Sequence, residues 1–262
     1  TILEAANAVI KRNLLRRGKK LWSQKGSGPK LALHTLKDDD EEARTIVELI
    51  ESRRIADRIP WRDQAILFRT NAQSRPLETA LRSQEVRYRL IGGQSFFDRR
   101  EIRDFIAYLK TFLNPHDDVS LLRIANVPAR GLSDTTMQRL LGASQERKCS
   151  VFAVMKNPAV LATLPGKTRE SVEGFVDLVE RTRGELVSRH PAAPVPLQPW
   201  ANRFLSDTGY LAELRRTEKD TEAAENRIRN LAEFAADLDK FPQSGGSPFE
   251  CLESFLENIA LE

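Results

Sequence analysis

Apolar positions follow two regimes along this chain. In residues 1–91 short apolar runs alternate with helical periodicity, whereas beyond residue 93 nearly every apolar position recurs at helical spacing. Residues 1–13 place Ile2, Leu3, Ala6, Val9 and Ile10 on one side of an amphipathic helix. Leu31 to Leu36 alternates apolar with polar and predicts a strand. A helix follows over 41–54, built on Ala43, Ile46, Val47 and Ile50. Ala65-Ile66-Leu67-Phe68 is a short continuous apolar run, which predicts a strand buried on both faces. Ser74-Arg75-Pro76 opens the next helix, with proline tolerated in its first turn. Val86, Tyr88 and Leu90 then alternate with Arg87 and Arg89 as a third strand. The order βαβαβ predicts a parallel sheet covered by helices.

The change of regime falls at Gly92-Gly93, where paired glycines accept positive φ and absorb backbone rotation. Asp98 with Glu101 three residues later predicts an N-cap and acidic capping box. Ile102, Phe105, Ile106, Leu109 and Phe112 carry the helix to a stop at Asn114-Pro115. Further helices are predicted over about 117–125, 134–147, 149–156, 168–189, 199–216, 220–240 and 247–261. Residues 190–199 hold four of the thirteen prolines and predict a stiff linker.

Length and charge narrow the classes. At 262 residues the chain has room for two domains. Forty-one Lys and Arg against 37 Asp and Glu give +4, an excess that permits nucleic-acid contact without requiring it. Local clusters are stronger than the total: Arg12, Arg16, Arg17, Lys19 and Lys20, then Arg99, Arg100 and Arg103. Cys149 and Cys251 lack metal-ligand spacing and suit a reducing cytoplasm. No apolar run reaches the length of a membrane span, and no signal peptide is visible. A chain that opens without Met, directly in a helix pattern, reads as an excised piece of a longer protein.

Hydrolytic chemistry is missing from the pattern. There is no GxxxxGK[ST] phosphate loop and no Asp-Glu pair after a buried strand. His34, His116 and His190 have no nucleophile or metal-ligand partners at useful spacing. The expected assignment is therefore no catalytic residue, no metal ligand and no cofactor bound by this chain itself.

Two stretches are suited to nucleic acid. Phe68-Arg69-Thr70-Asn71 lies where a predicted buried strand gives way to a helix, the usual ligand crevice of an open α/β sheet. Arg69 suits a phosphate, and Thr70 and Asn71 offer short polar contacts; alternatively Asn71 only caps the helix. The second stretch is Asn126-Val127-Pro128-Ala129-Arg130-Gly131-Leu132-Ser133-Asp134-Thr135-Thr136. A glycine turn entering a helix offers free amides at the positive end of the dipole, a seat for a DNA phosphate, unless it is an ordinary capped helix. Phe96-Phe97 reads either as a base-stacking platform or, better, as a core staple for the junction helix.

Residues 92–131, GGQSFFDRREIRDFIAYLKTFLNPHDDVSLLRIANVPARG, resemble a segment of the UvrD/Rep/PcrA family of superfamily 1 DNA helicases. AILFRTNAQSRPLETAL resembles the same family's second motor domain. The resemblance is close over most of 1–135 and looser over 200–262. It implies an α/β plus all-α architecture: part of a RecA-like motor domain (2A) over 1–91, a hinge at 92–98 around Gly92 and Gly93, and a helical inserted subdomain (2B) over 99–262. It also implies a parent that hydrolyses ATP with Mg²⁺ and moves 3′ to 5′ in the cytoplasm, during replication or repair. The family's phosphate loop and metal-binding acids would lie N-terminal to Thr1, and its last motor motifs after Glu262.

By the same resemblance Arg69, Thr70 and Asn71 face single-stranded DNA, while Arg130, Gly131, Leu132, Ser133 and Thr135 face duplex DNA. The family usually carries Arg-Gly-Ile-Gly at the second place; Leu132 and Ser133 depart from it, and serine adopts positive φ less freely. Implied partners are single-stranded and duplex DNA, with replication or repair proteins besides, and no membrane. Two alternatives remain: the helicase subunit of a helicase–nuclease complex, and a helical protein-interaction module. Lacking a phosphate loop, the chain on its own is expected to release no phosphate from ATP, with or without single-stranded DNA. Turnover that survives exhaustive repurification would overturn this.

Overall fold

The computed structural model describes residues 2–12, 21–24, 26, 28–70, 73–187, 196–239 and 247–259. Within them the architecture is all-helical. The expected RecA-like parallel sheet does not form: among the described residues there is no strand. The alternation read from the sequence is nevertheless real in its burial. Ile66 and Phe68 are half-buried between exposed Ala65 and Leu67, and Val86, Tyr88 and Leu90 point inward between exposed Arg87 and Arg89. What fails is the second covered face. Leu33 and Leu67 are 93% and 94% exposed, and a parallel sheet is stable only with helices on both sides. Without a neighbouring backbone to close a ladder, these segments lie as single layers on helices.

α1 (Ile2–Ile10) buries none of its residues, so its predicted apolar side faces outward. α2 (Asp39–Ala56) starts at Asp38, whose carboxylate accepts from the Glu41 amide, while Glu41 accepts in return from the Lys37 amide. α3 (Ser74–Ser83) packs on it, with Pro76 in its first turn. Ala43, Val47, Leu77, Ala80, Leu81 and Val86 form a small core there, edged by Ile66, Phe68 and Tyr88.

The larger core surrounds α4 (Arg100–Leu113), against which α5 (Asp118–Ile124), α9 (Gly166–Val187), α12 (Thr221–Asp237) and α13 (Pro248–Ile259) all pack. α6 (Asp134–Arg147), α7 (Val151–Met155) and α8 (Pro158–Leu161) precede α9, and α10 (Leu197–Asp207) and α11 (Tyr210–Thr217) follow it. The predicted helix over 199–216 is thus two helices, because Gly209 takes φ +74° and turns the chain. Phe105, Tyr108, Phe112, Phe204 and Phe234 meet edge-on, tilted or stacked, with neighbouring ring centroids 5.1–6.4 Å apart. The predicted linker at 190–199 and the basic cluster Arg16 to Lys20 lie largely or wholly outside the described residues.

The predicted capping box at Asp98 and Glu101 is also corrected. α4 begins at Arg100 without a side-chain cap, and Asp98 closes a 3₁₀ turn over Phe96–Asp98. The cause is packing. Phe96 and Phe97 are 1% and 6% exposed in the large core, so they draw the turn inward and the helix starts later. Both rings serve as core and neither as a stacking platform.

The small and large cores meet through α3. Glu78, 2% exposed, accepts from the hydroxyls of Ser95 and Tyr88 and from the Phe96 amide. Arg75 lies over the Phe96 ring and pairs with Glu233 and Asp237 on α12. Arg82 lies over the Phe97 ring and donates to the Ile259 carbonyl on α13. Burying a carboxylate is tolerated only when its oxygens are this fully occupied. Glu78→Ala leaves the three donors without their acceptor, at a cost of about 2–4 kcal/mol. The expected thermal shift is roughly 5–10 °C downward, against almost none for exposed Glu85→Ala; equal shifts in the two variants would show that the carboxylate joins nothing.

Candidate nucleic-acid interface

The loop between α5 and α6 is built around two polar side chains. Asn126 Oδ1 accepts from the amides of Arg130 (2.8 Å) and Leu132 (3.2 Å), folding 126–132 into a closed turn. The Arg130 guanidinium turns inward beneath that loop. Its Nη1 faces the carbonyls of Ile124, Val127 and Ala125 at 3.0–3.3 Å, and its Nη2 donates to the Tyr108 hydroxyl. Tyr108 in turn donates to the Val127 carbonyl. The guanidinium also lies over the rings of Tyr108 and Phe175, each 5.6 Å from the ring centroid. Burial is the main cause that pushes the Tyr108 phenol above its ordinary range, partly offset by Arg130, so the hydroxyl remains a donor.

Arg130, expected as a duplex contact, is therefore occupied in shaping the loop. Leu132 is fully buried and anchors the loop in the large core. Gly131, Ser133 and Thr135 are exposed. Gly131 takes φ +79°, and a Cβ on it would stand 3.0 Å from Ser171 Oγ on α9. Ser133 Oγ caps α6 by accepting from the Thr136 amide. Among the described residues the amides of Gly131, Asp134 and Thr135 meet no acceptor. The result is a rigid turn with exposed donors at the positive end of a 14-residue helix.

Asn126, Tyr108 and Ser171 were not singled out from sequence as shaping this turn. Asn126 carried one usable signal, an Asn just before Pro and Gly, where such side chains close turns. Tyr108 and Ser171 are distant in sequence and carried none.

At the other expected site, the backbone amides of Arg69 and Thr70 both donate to Gln73 Oε1, at 3.0 and 3.1 Å. The Arg69 and Thr70 side chains are exposed, and Asn71 lies outside the described residues. The structure brings Arg130 to Thr135 into one loop and holds Arg69 and Thr70 on a separate turn. His34 and His116 are exposed, and His116 Nδ1 sits 2.6 Å from Ser150 Oγ. Among the described residues no three His, Cys, Asp or Glu side chains are grouped to hold a metal, and no helix is long and apolar enough to cross a membrane.

Arg130→Ala removes the donors beneath the loop and the cation between two rings, at an expected cost of about 2–4 kcal/mol. Exposed Arg139→Ala, measured beside it by thermal denaturation, is expected to change stability by less than about 0.5 kcal/mol. Equal stability of the two variants would place Arg130 outside the framework of the loop.

Comparison with known proteins gives the family. The UvrD-like helicase C-terminal domain matches residues 1–262. DNA helicase II of Salmonella typhimurium is 33% identical over 269 residues, spanning all of this chain and 35% of that protein. DNA helicase II of Escherichia coli is 32% identical over the same span, and the ATP-dependent DNA helicase PcrA of Staphylococcus aureus is 30% identical over 262 residues and 34% of its length. The chain thus spans about a third of these relatives. It belongs to the UvrD-like helicase C-terminal domain family.

Proposed function

We propose that this chain is the DNA-contacting part of an ATP-dependent helicase that moves 3′ to 5′ during replication or repair. In that whole protein the helical body over 99–262 acts as an arm on the duplex, and the turn at Arg69, Thr70 and Asn71 borders the single strand. The observation that carries the reading is the Gly131–Thr135 turn, whose unoccupied amides and buried underpinning suit a phosphate without any base contact. Arg130 contributes by shape, Leu132 by anchorage, and Gly131, Ser133 and Thr135 by touching the DNA.

ATP and Mg²⁺ belong to the whole protein. Among the described residues no three His, Cys, Asp or Glu side chains are grouped to hold the metal. The proposed hinge is Gly92, at φ +83° and with open space where a Cβ would stand, together with Gly93. Rotation of the arm there requires release of Arg75 from Glu233 and Asp237, and of Ser95 and Phe96 from Glu78.

Thr135→Glu puts a negative charge at the proposed phosphate seat without disturbing a buried group. Duplex affinity is expected to fall about tenfold at low salt, with no dependence on sequence and a smaller change for single-stranded DNA. Fluorescence anisotropy with labelled duplex and single strand checks this, and equal losses on both would move the duplex site elsewhere.

A further inference from the structure

The turn that presents Gly131 lacks an outward cation of its own. Across residues 126–136 the charged side chains are Arg130 and Asp134. Arg130 is held inward by three carbonyls and the Tyr108 hydroxyl. Asp134 is exposed and makes no ion pair among the described residues, so the outer face of the turn is net negative. Affinity for a nucleic-acid backbone comes chiefly from cations that displace condensed counterions, which neutral amides cannot do. A phosphate seated on this turn therefore needs its charge partner from a neighbouring element.

Two helices that meet at the turn each supply one. On α6, Arg139 stands four residues after Thr135, so the two share one exposed face a single helical turn apart. On α9 the link runs through Ser171. A Cβ on Gly131 would stand 3.0 Å from Ser171 Oγ, and that hydroxyl donates to the Lys167 carbonyl at 3.0 Å. Lys167 thus lies one helical turn from the residue that Gly131 approaches, on the same side of α9. Lys167 and Arg139 are both exposed, and neither makes a side-chain hydrogen bond or ion pair among the described residues. By contrast Arg169 reaches toward Glu173 at 3.8 Å, and Glu170 is turned about 100° from Ser171 around the helix. Leu140 on α6 and Val172 on α9 are fully buried in the large core, so both cations stand on anchored helices.

We propose that Lys167 and Arg139 are the cations of the duplex contact, each holding a backbone phosphate beside the one seated on the Gly131 turn. The proposal rests on the reading of that turn as the duplex site, and supplies the charge that the turn lacks. Long side chains with free donors, one on each helix beside a seat of amides, suit successive phosphates of a backbone. They also give Arg130 and Lys167 opposite duties: the first shapes the turn from beneath, and the second meets the ligand.

The test replaces Lys167 and Arg139 together by Gln and titrates a labelled duplex by anisotropy across salt. Each lost duplex phosphate contact lowers the slope of log affinity against log salt by about 0.9, so two lower it by about 1.8. Wild-type affinity is then expected to fall roughly 12-fold more than the variant's between about 50 and 200 mM salt. Arg203→Gln with Lys219→Gln removes the same charge from other exposed surface and is expected to keep the slope. Lys167→Arg with Arg139→Lys is expected to keep it too, which separates lost charge from lost shape. An unchanged slope in the first variant, or an equal loss in the Arg203 control, overturns the assignment. Thr135→Glu tells the two readings apart. If it weakens duplex binding while the Gln pair leaves the slope alone, the turn stands and its cations lie elsewhere. If neither change affects duplex binding, the duplex site leaves this face and both readings end.

Discussion

The structure depends on burying α4 on nearly every side while it carries two acids. Ile102, Phe105, Tyr108, Leu109 and Phe112 have essentially no exposure, and Glu101 and Asp104 are each only 3% exposed. A carboxylate in such a place must be met by partners, or the helix cannot be buried. Asn230 and Arg227 of α12 meet Glu101, and Arg123 of α5, Arg100 and the Tyr210 hydroxyl of α11 meet Asp104. Burial first, and the Asp104 carboxylate second, drive the Tyr210 phenol far above its ordinary range, so it stays protonated and keeps donating. The charges on α4 therefore choose which helices surround it, and aromatic packing fills the space they define.

The same helix supports the candidate interface. Tyr108 lies on α4, and its hydroxyl joins Arg130 to the Val127 carbonyl, so the loop that presents Gly131 is attached directly to the most buried element. A surface turn tied to a core tyrosine keeps its shape when a ligand arrives, which lowers the ordering cost of binding. This gives a role to an arginine that faces inward at the proposed DNA-binding loop. Its charge serves preorganisation, and in the proposed reading contact is left to backbone amides, which recognise phosphate irrespective of sequence.

Flexibility and docking are balanced at the junction. Gly92 allows rotation at little steric cost, yet Arg75, Glu78 and Arg82 hold the neighbouring α3 to α12, α13 and the Phe96 turn. Under the proposed reading, an arm so held has at least one defined docked position. Its proposed release would be a discrete event, the breaking of a buried polar cluster, and not a continuous drift.

The sequence by itself determined most of the helices. Spacing alone placed the helix over 134–147 with the observed ends, stopped α4 before Asn114-Pro115, and put the glycine turn at the start of α6. These depend on contacts within a few residues, which a linear pattern contains. The family resemblance was equally legible, since ordered residue identities carry it. Tertiary structure decided the rest. Whether Ala65–Phe68 and Val86–Leu90 become sheet depends on a neighbouring backbone and a second covering layer, neither of which is written in those residues. Whether Asp98 caps α4 was decided by the burial of Phe96 and Phe97 against Phe234, well over a hundred residues away. Whether Arg130 meets a phosphate or a tyrosine was decided by the position of α4 beneath it. In each case the outcome depends on packing beyond the local stretch, of which the pattern carries no record.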